Sequence, residues 1–410
     1  MKRSIPCLVA ISFLASFSGC AVLGLKSQNQ KIQETGFVSL RVGDPPRSVP
    51  TYVLALDNKG RILGAQSAGA SGVATFAIPI GQRIRAVAFS DTNRNRVLDE
   101  GEPCCVLDGI IPVPLADPSQ RSRVHDMRLG KRGAGAPVGL SVPDSAGAAV
   151  GVAVGEIAKI SDARFDPDIG VEGLWKPGSS LLNGALGLYF IEPYDASRIP
   201  VLFVHGIGGS PRDFTKLISS LDTSRYQAWF FTYPSGFRLE KAATALATML
   251  ELVRKQHGVR HVYLVAHSMG GVVSRAAILR MADSSEFPPV EKFITIATPW
   301  GGHAAAKSGL RALKYPVPAW IDMAPGSAFL KSLWSRELPK STRFWLLFGY
   351  HTKQMPWLTL NNDTVIDIRS ALLPAAQDEA VRVFGIEKSH EQILSSPETI
   401  RKMKEFLAAP

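Results

Sequence analysis

At 410 residues, with 46% apolar and 20% charged side chains, the chain is too long for one ordinary core and too apolar for disorder, so two folded units are the default. The net charge of +11 is dispersed, without Lys/Arg runs or basic residues interleaved with aromatics. That excludes nucleic acid as the expected partner and leaves solvated surface with a lean towards anionic lipid.

Lys2 and Arg3 followed by an apolar run from Ile5 to Phe17 read as an export signal, too short to span a bilayer comfortably. The run ends in Phe17-Ser18-Gly19-Cys20, which resembles the bacterial lipobox, with Phe17 where Leu is usual. The resemblance implies a signal peptide over 1–19 and a lipid on Cys20, hence a cell-envelope protein anchored to a membrane outside the cytoplasm. Ala21 after the Cys resembles lipoproteins of the outer membrane in Gram-negative cells. Cys104 and Cys105 are the only other cysteines of the mature chain; being adjacent, they offer no ordinary disulfide framework. Residues 20–36, polar from Gln28 to Gln33, read as a tether.

Short strand-like runs at Gly36–Val42, Tyr52–Leu56, Ala74–Ile80 and Ile84–Phe89, punctuated by Gly, Pro, Asp and Asn, predict a small antiparallel β-sandwich over 37–130. Within it, Asp91, Asn93, Asn95, Asp99 and Glu102 place side-chain oxygens at loop positions 1, 3, 5, 9 and 12, and Val97 adds a carbonyl. That spacing wraps a hard cation such as Ca²⁺, although Arg96 replaces the glycine of the sharp turn. A solvated acidic hairpin is the other reading. Residues 131–192, opening with Lys131-Arg132-Gly133-Ala134-Gly135-Ala136-Pro137, read as linker and connecting segment, with Gly187–Ile191 strand-like and leading into the second domain.

From 193 to 410 buried strands alternate with amphipathic helices. Strands are expected at Pro200–Val204, Ala228–Tyr233, Val262–Val265, Phe293–Ala297 and Phe344–Phe348, and helices at Leu239–His257 and Ile400–Leu407. Repeated βα units imply an open parallel sheet with ligands at the carboxyl ends of its strands.

The stretch Val262-Tyr263-Leu264-Val265-Ala266-His267-Ser268-Met269-Gly270-Gly271 joins a strand to a helix through a small-x-Ser-x-Gly turn, the context of a nucleophile elbow. Ser268 is expected in a strained conformation at the sheet's carboxyl end. Asp363, in Asn362-Asp363-Thr364-Val365, and His390, before the last helix, complete the order Ser…Asp…His. Asp367 is the other carboxylate in reach. The glycine turn His205-Gly206 after the first strand offers an oxyanion-binding N–H at Ile207, paired with that of Met269. His267 is expected to point away from the cleft. His125, His257, His261, His303 and His351 stand in no motif and read as surface or structural residues.

From about Pro193 onward the chain resembles bacterial lipases and esterases of the α/β-hydrolase family. The residues that carry the resemblance are Val201-Leu202-Phe203-Val204-His205-Gly206, Ala266-His267-Ser268-Met269-Gly270-Gly271 and Thr298-Pro299-Trp300-Gly301-Gly302. Similar segments occur in the GPI inositol-deacylase-like group, and Ala266 for the first elbow Gly is similar to the small Bacillus lipases. In that family Asp-Gly-x-Val carries the acid; Asp363-Thr364-Val365 fits except at Thr364. The resemblance implies an α/β-hydrolase fold behind the sandwich-like domain and a serine hydrolase forming an acyl-enzyme on a lipid or other acyl ester, without a catalytic cofactor. An acyltransferase or thioesterase with the same triad, and a non-catalytic binding lipoprotein, are the alternatives. The stretch 303–340, with Leu310, Trp320, Met323, Phe329, Leu333 and Trp334, lies where lipases place an apolar lid.

Overall fold

The computed structural model describes residues 19–43, 45–46, 48–68, 72–114, 124–131, 137–143, 152–282, 284, 287–351 and 361–410. It divides into two compact units: residues 27–156 with 178–187, and residues 157–177 with 188–410 and those before 27. The signal-like residues 1–18, the linker residues 132–136 and residues 144–151 lie outside the described residues. Among the described residues no helix is long and apolar enough to cross a membrane.

Helix α1 (Gly19–Gln33) occupies the stretch expected as a tether, and Cys20 falls in its first turn. The polar sequence hides a one-sided pattern: Leu25, Gln28 and Ile32, at helical spacing, are buried. Gln28 is satisfied there by the backbone N–H of Ser179 at 2.8 Å.

The N-terminal unit carries β1 (Thr35–Gly43), β2 (Thr51–Leu56), β3 (Ile62–Ser67), β4 (Val73–Pro79), β5 (Ile84–Ser90), β6 (Pro103–Ile110), β7 (Val113–Pro114), β8 (Val124–Arg128) and β9 (Gly130–Lys131). They form two sheets, ordered β4-β1-β7 with β8 also on β1, and β3-β2-β5-β6-β9. All four expected strands are present. The sandwich is not purely antiparallel, because β8 runs parallel to β1. Side chains alternate with period two: Val53 and Ala55 join Val38, Leu40, Phe76 and Ile78 in one core, while Leu54 and Leu56 pack with Val87, Phe89 and Val142 on the other face. Cys104 is buried and Cys105 half-buried.

The supposed linker is largely structured. It holds β10 (Ala153–Ile157), α2 (Pro167–Trp175), α3 (Pro177–Leu182) and the expected strand, β11 (Gly187–Phe190); its residues 157–177 and 188–192 group with the C-terminal unit. Helix α2 starts where the Asp166 side chain accepts from Asp168 N and Pro167 fills the first turn. Two glycines inside it weakened its pattern in the sequence.

Beyond it come β12 (Ile199–Val204), β13 (Tyr226–Thr232), β14 (Val262–His267), β15 (Val290–Ile296), β16 (Arg343–Tyr350) and β17 (Arg382–Glu387). From β11 on, their sheet runs β11-β13-β12-β14-β15-β16-β17, and every pairing from β12 to β17 is parallel. Around it lie α4 (Thr215–Ser219), α5 (Leu239–His257), α6 (Met269–Met281), α7 (Ala304–Ala312), α8 (Pro318–Met323), α9 (Ala328–Leu333), α10 (Ile368–Ala371), α11 (Pro374–Glu379) and α12 (Pro397–Ala408). Helix α5 has the bounds its apolar stripe predicts, closed by Gly258 in the left-handed region at φ 66°. Parallel pairing of β12, β14, β16 and β17 brings the loops after them to one edge.

Candidate active site

Ser268 sits between β14 and α6 with φ 53° and ψ −131°, outside the usual regions for a side chain larger than glycine. The turn is as tight as its small residues suggest. A Cβ on Gly270 would stand 2.4 Å from the Val204 carbonyl oxygen and 2.5 Å from that of His205. Only glycine lets α6 start this close to β12.

Two loops complete a hydrogen-bonded chain. His390, three residues beyond β17, has Nε2 2.9 Å from Ser268 Oγ and donates from Nδ1 to Asp363 Oδ2 at 2.6 Å. Asp363, in the loop after β16, receives Val365 N at 3.0 Å and Ile366 N at 2.6 Å on its other oxygen, and its carbonyl accepts His390 N at 2.6 Å. All three side chains are buried. Asp367 is engaged elsewhere, capping α10 and pairing with Arg369 at 3.0 Å. Thr364 adopts φ 80°, where glycine is at ease, so the departure from Asp-Gly-x-Val appears as local strain and leaves the carboxylate in place.

The loop after β12 borders the same serine. A Cβ on Gly206 would fall 2.7 Å from Ser268 Cβ and 3.3 Å from its Oγ. Ile207 follows directly in this loop, and Met269 opens α6. His205 braces the loop: its Nδ1 lies 2.8 Å from the Gly206 carbonyl, Tyr233 N donates to its Nε2 at 3.3 Å, and its ring stacks on Tyr233. Burial pushes its pKa down to about 4, so the ring is neutral.

Sequence reasoning missed three supports. His267 does not point away: its Nε2 donates to the His390 carbonyl at 2.9 Å, and the two rings lie 4.7 Å apart. Burial, then the neighbouring His390, holds its pKa well below the usual value. His303 caps α7 by accepting Ala305 N on Nδ1 at 3.1 Å and donates from Nε2 to the Val365 carbonyl at 3.0 Å, beside the Asp363 carboxylate. Helix α2 lies on the Gly206–Gly209 loop, where a Cβ on Gly170 would be 2.5 Å from Gly209 O and 2.8 Å from Gly208 O. Arg212 ties that helix down through the Asp166 carboxylate at 3.1 Å.

Residues 201–399 match the alpha/beta hydrolase family. The C-terminal unit has the α/β-hydrolase fold. Among solved structures it is similar to mature lipase BlEst2 of Bacillus licheniformis, at 20% identity over 54% of this chain and 98% of that one, with a TM-score of 0.43. It is also similar to lipase B of Aspergillus fumigatus (14%, 56% and 57%, 0.40) and to phospholipase PlaB of Legionella pneumophila (14%, 52% and 60%, 0.41). No curated protein matches the chain.

The 303–340 insertion of the hydrolase domain is fastened rather than loose. Buried Asp322 binds Arg238 at 2.7–3.0 Å and accepts Leu239 N at 2.7 Å. Fully buried Arg275 of α6 donates to Glu379 twice at 2.7 Å and to the Leu333 and Arg336 carbonyls, under the Trp334 ring. These contacts make it a packed cap.

The Asp91–Glu102 loop joins β5 to β6, and its oxygens are engaged within the chain. Asp91 accepts Asn95 N and Arg96 N, and Glu102 accepts Thr92 N, Thr92 Oγ1 and Asp99 N. The Asn93 and Asn95 amides both donate to Asp99 Oδ2. Arg96 takes φ 64°, the conformation for which glycine was expected. Among the described residues no group of three or more His, Cys, Asp or Glu is arranged to hold a metal ion. As it stands the donor set closes on itself.

Proposed function

We propose that the hydrolase domain is a serine carboxylic-ester hydrolase acting through an acyl-enzyme on a lipid-like acyl ester. The observation that carries this is the unbroken Ser268–His390–Asp363 hydrogen-bond chain at the carboxyl edge of the parallel sheet. His390 Nε2 accepts the hydroxyl proton as Ser268 Oγ attacks the ester carbonyl, and Asp363 holds the Nδ1–H tautomer and stabilises the imidazolium. The N–H groups of Ile207 and Met269 take the oxyanion. His390 then returns the proton to the leaving alcohol, and water, deprotonated by the same imidazole, releases the acid. No step calls on a metal.

The lipid-like substrate is supported by the apolar cap, whose Leu310, Trp320 and Trp334 are only partly buried. We further propose that Cys20 is lipidated and tethers the enzyme to the cell envelope, on the outer membrane or its periplasmic face in a Gram-negative host. Several acyl chains hold firmly where one does not. Full-length protein should partition into detergent and Cys20→Ser should not; equal partitioning removes the tether. The enzymatic reading is tested on p-nitrophenyl esters of increasing chain length beside phospholipids and triglycerides. Turnover of none of them by folded protein contradicts it.

A further inference from the structure

The opening stretch of the cap, up to Ile321, carries charge of one sign. From Lys292 to Ile321 the chain holds no Asp or Glu. On α7, Lys307 and Arg311 are four residues apart and therefore share a face; both are exposed, as is Lys314 just beyond. The next carboxylate, Asp322, is buried and taken by Arg238. Ile321 of the neighbouring helix α8 is 42% exposed, and the Tyr315 ring lies under Lys314 and Lys26 at 5.7 and 5.8 Å.

This face is fixed in place. A Cβ on Gly309 would be 2.4 Å from the Trp320 ring, so α7 and α8 pack backbone against indole. The His303 cap of α7 bonds the loop that carries Asp363, which puts the cations on a helix anchored at the reactive centre.

We propose that Lys307, Arg311 and Lys314, together with exposed Ile321 of α8, dock the hydrolase domain on the surface of an anionic phospholipid bilayer. Three exposed cations within one stretch that holds no carboxylate suit a diffuse planar charge better than a shaped anion site. Each Lys or Arg near an anionic leaflet multiplies partitioning by roughly fivefold, so the three together account for roughly a hundredfold. The attraction acts within a Debye length and weakens with salt. The inference deepens the lipid-ester reading, but docking is measured without turnover, so either can fail alone.

The test is vesicle sedimentation of full-length protein carrying Cys20→Ser, with phosphatidylcholine vesicles and with vesicles enriched in phosphatidylglycerol. The wild-type face should bind the anionic vesicles in a salt-sensitive way and the neutral ones weakly. Lys307→Gln/Arg311→Gln/Lys314→Gln, melting like the parent, should lose roughly a hundredfold of that partitioning. A charge-matched control, Lys59→Gln/Arg83→Gln/Arg128→Gln on exposed positions of the other unit, should retain it. Should the triple variant not fold, Lys307→Gln and Arg311→Gln singly should each lose roughly fivefold. Absent anionic preference, unchanged binding by the cap variants, or equal loss in the control overturns the proposal.

Discussion

Gly206→Ala tests the loop that borders the nucleophile. The new methyl would stand 2.7 Å from Ser268 Cβ, and 3.3 Å from both Ser268 Oγ and the His267 carbonyl oxygen. Carbon pairs rest at about 3.5–4.0 Å, so one side must retreat by about 1 Å. Ser268 is held by its own N–H on Ile296 O at 2.9 Å and by the start of α6. The 206–209 loop therefore yields and carries the Ile207 N–H away from the oxyanion position. A misplacement of about 1 Å costs about 10²-fold, and loss of one oxyanion donor about 10²–10³-fold, or about 2.7–4 kcal/mol. Initial rates on a soluble p-nitrophenyl ester should show kcat down by that factor with KM nearly unchanged. A variant that melts like wild type and keeps its kcat refutes this placement of the loop.

Gly170→Ala lies outside the family match, yet it should lower kcat about 10-fold or more by lifting the Gly208–Gly209 carbonyls, and unchanged kinetics would separate α2 from the site. Acidification should destabilise the hydrolase domain. His205 is neutral in the fold with its pKa near 4, and His267 and His303 are also lowered, whereas an unfolded His titrates near 6.5. The unfolded chain binds more protons in that window, so stability present above about pH 6.5 falls towards pH 4, by up to about 3 kcal/mol for His205 alone. Equal urea midpoints at neutral and mildly acid pH would contradict it. For the Asp91–Glu102 loop we propose that Ca²⁺ binds once the Asn93 and Asn95 amides turn their oxygens inward. Millimolar Ca²⁺ should then raise the melting temperature of the N-terminal unit over EDTA, an effect lost in Asp91→Ala. A melt indifferent to Ca²⁺ leaves a loop closed by its own hydrogen bonds.

The parallel core was legible because strands buried on both faces read as short continuous apolar runs, and α5 because its stripe has helical period. The residues of the Ser268–His390–Asp363 hydrogen-bond chain were legible as chain order and turn chemistry. What escaped had weak local signals. Strand β17, which presents His390, lies at the sheet edge, and Arg382, Val383 and Glu387 are exposed, so it lacks a buried run. Helix α2 was hidden by Gly170 and Gly173, glycines that exist for close packing rather than helix propensity. Residue α1 spacing was masked by its polar composition. The roles of His267 and His303 depend on carbonyls 123 and 62 residues away, which no local pattern records.

The most direct measurement is covalent labelling of the full-length protein with a fluorophosphonate, followed by peptide mapping and ester turnover. Expected is a single adduct on Ser268, absent in Ser268→Ala and slowed in His390→Ala. Ester hydrolysis should fall about 10⁴-fold or more in each, because triad members act as a unit. No adduct on folded wild-type protein, or near-wild-type turnover by folded Ser268→Ala, would contradict the serine mechanism.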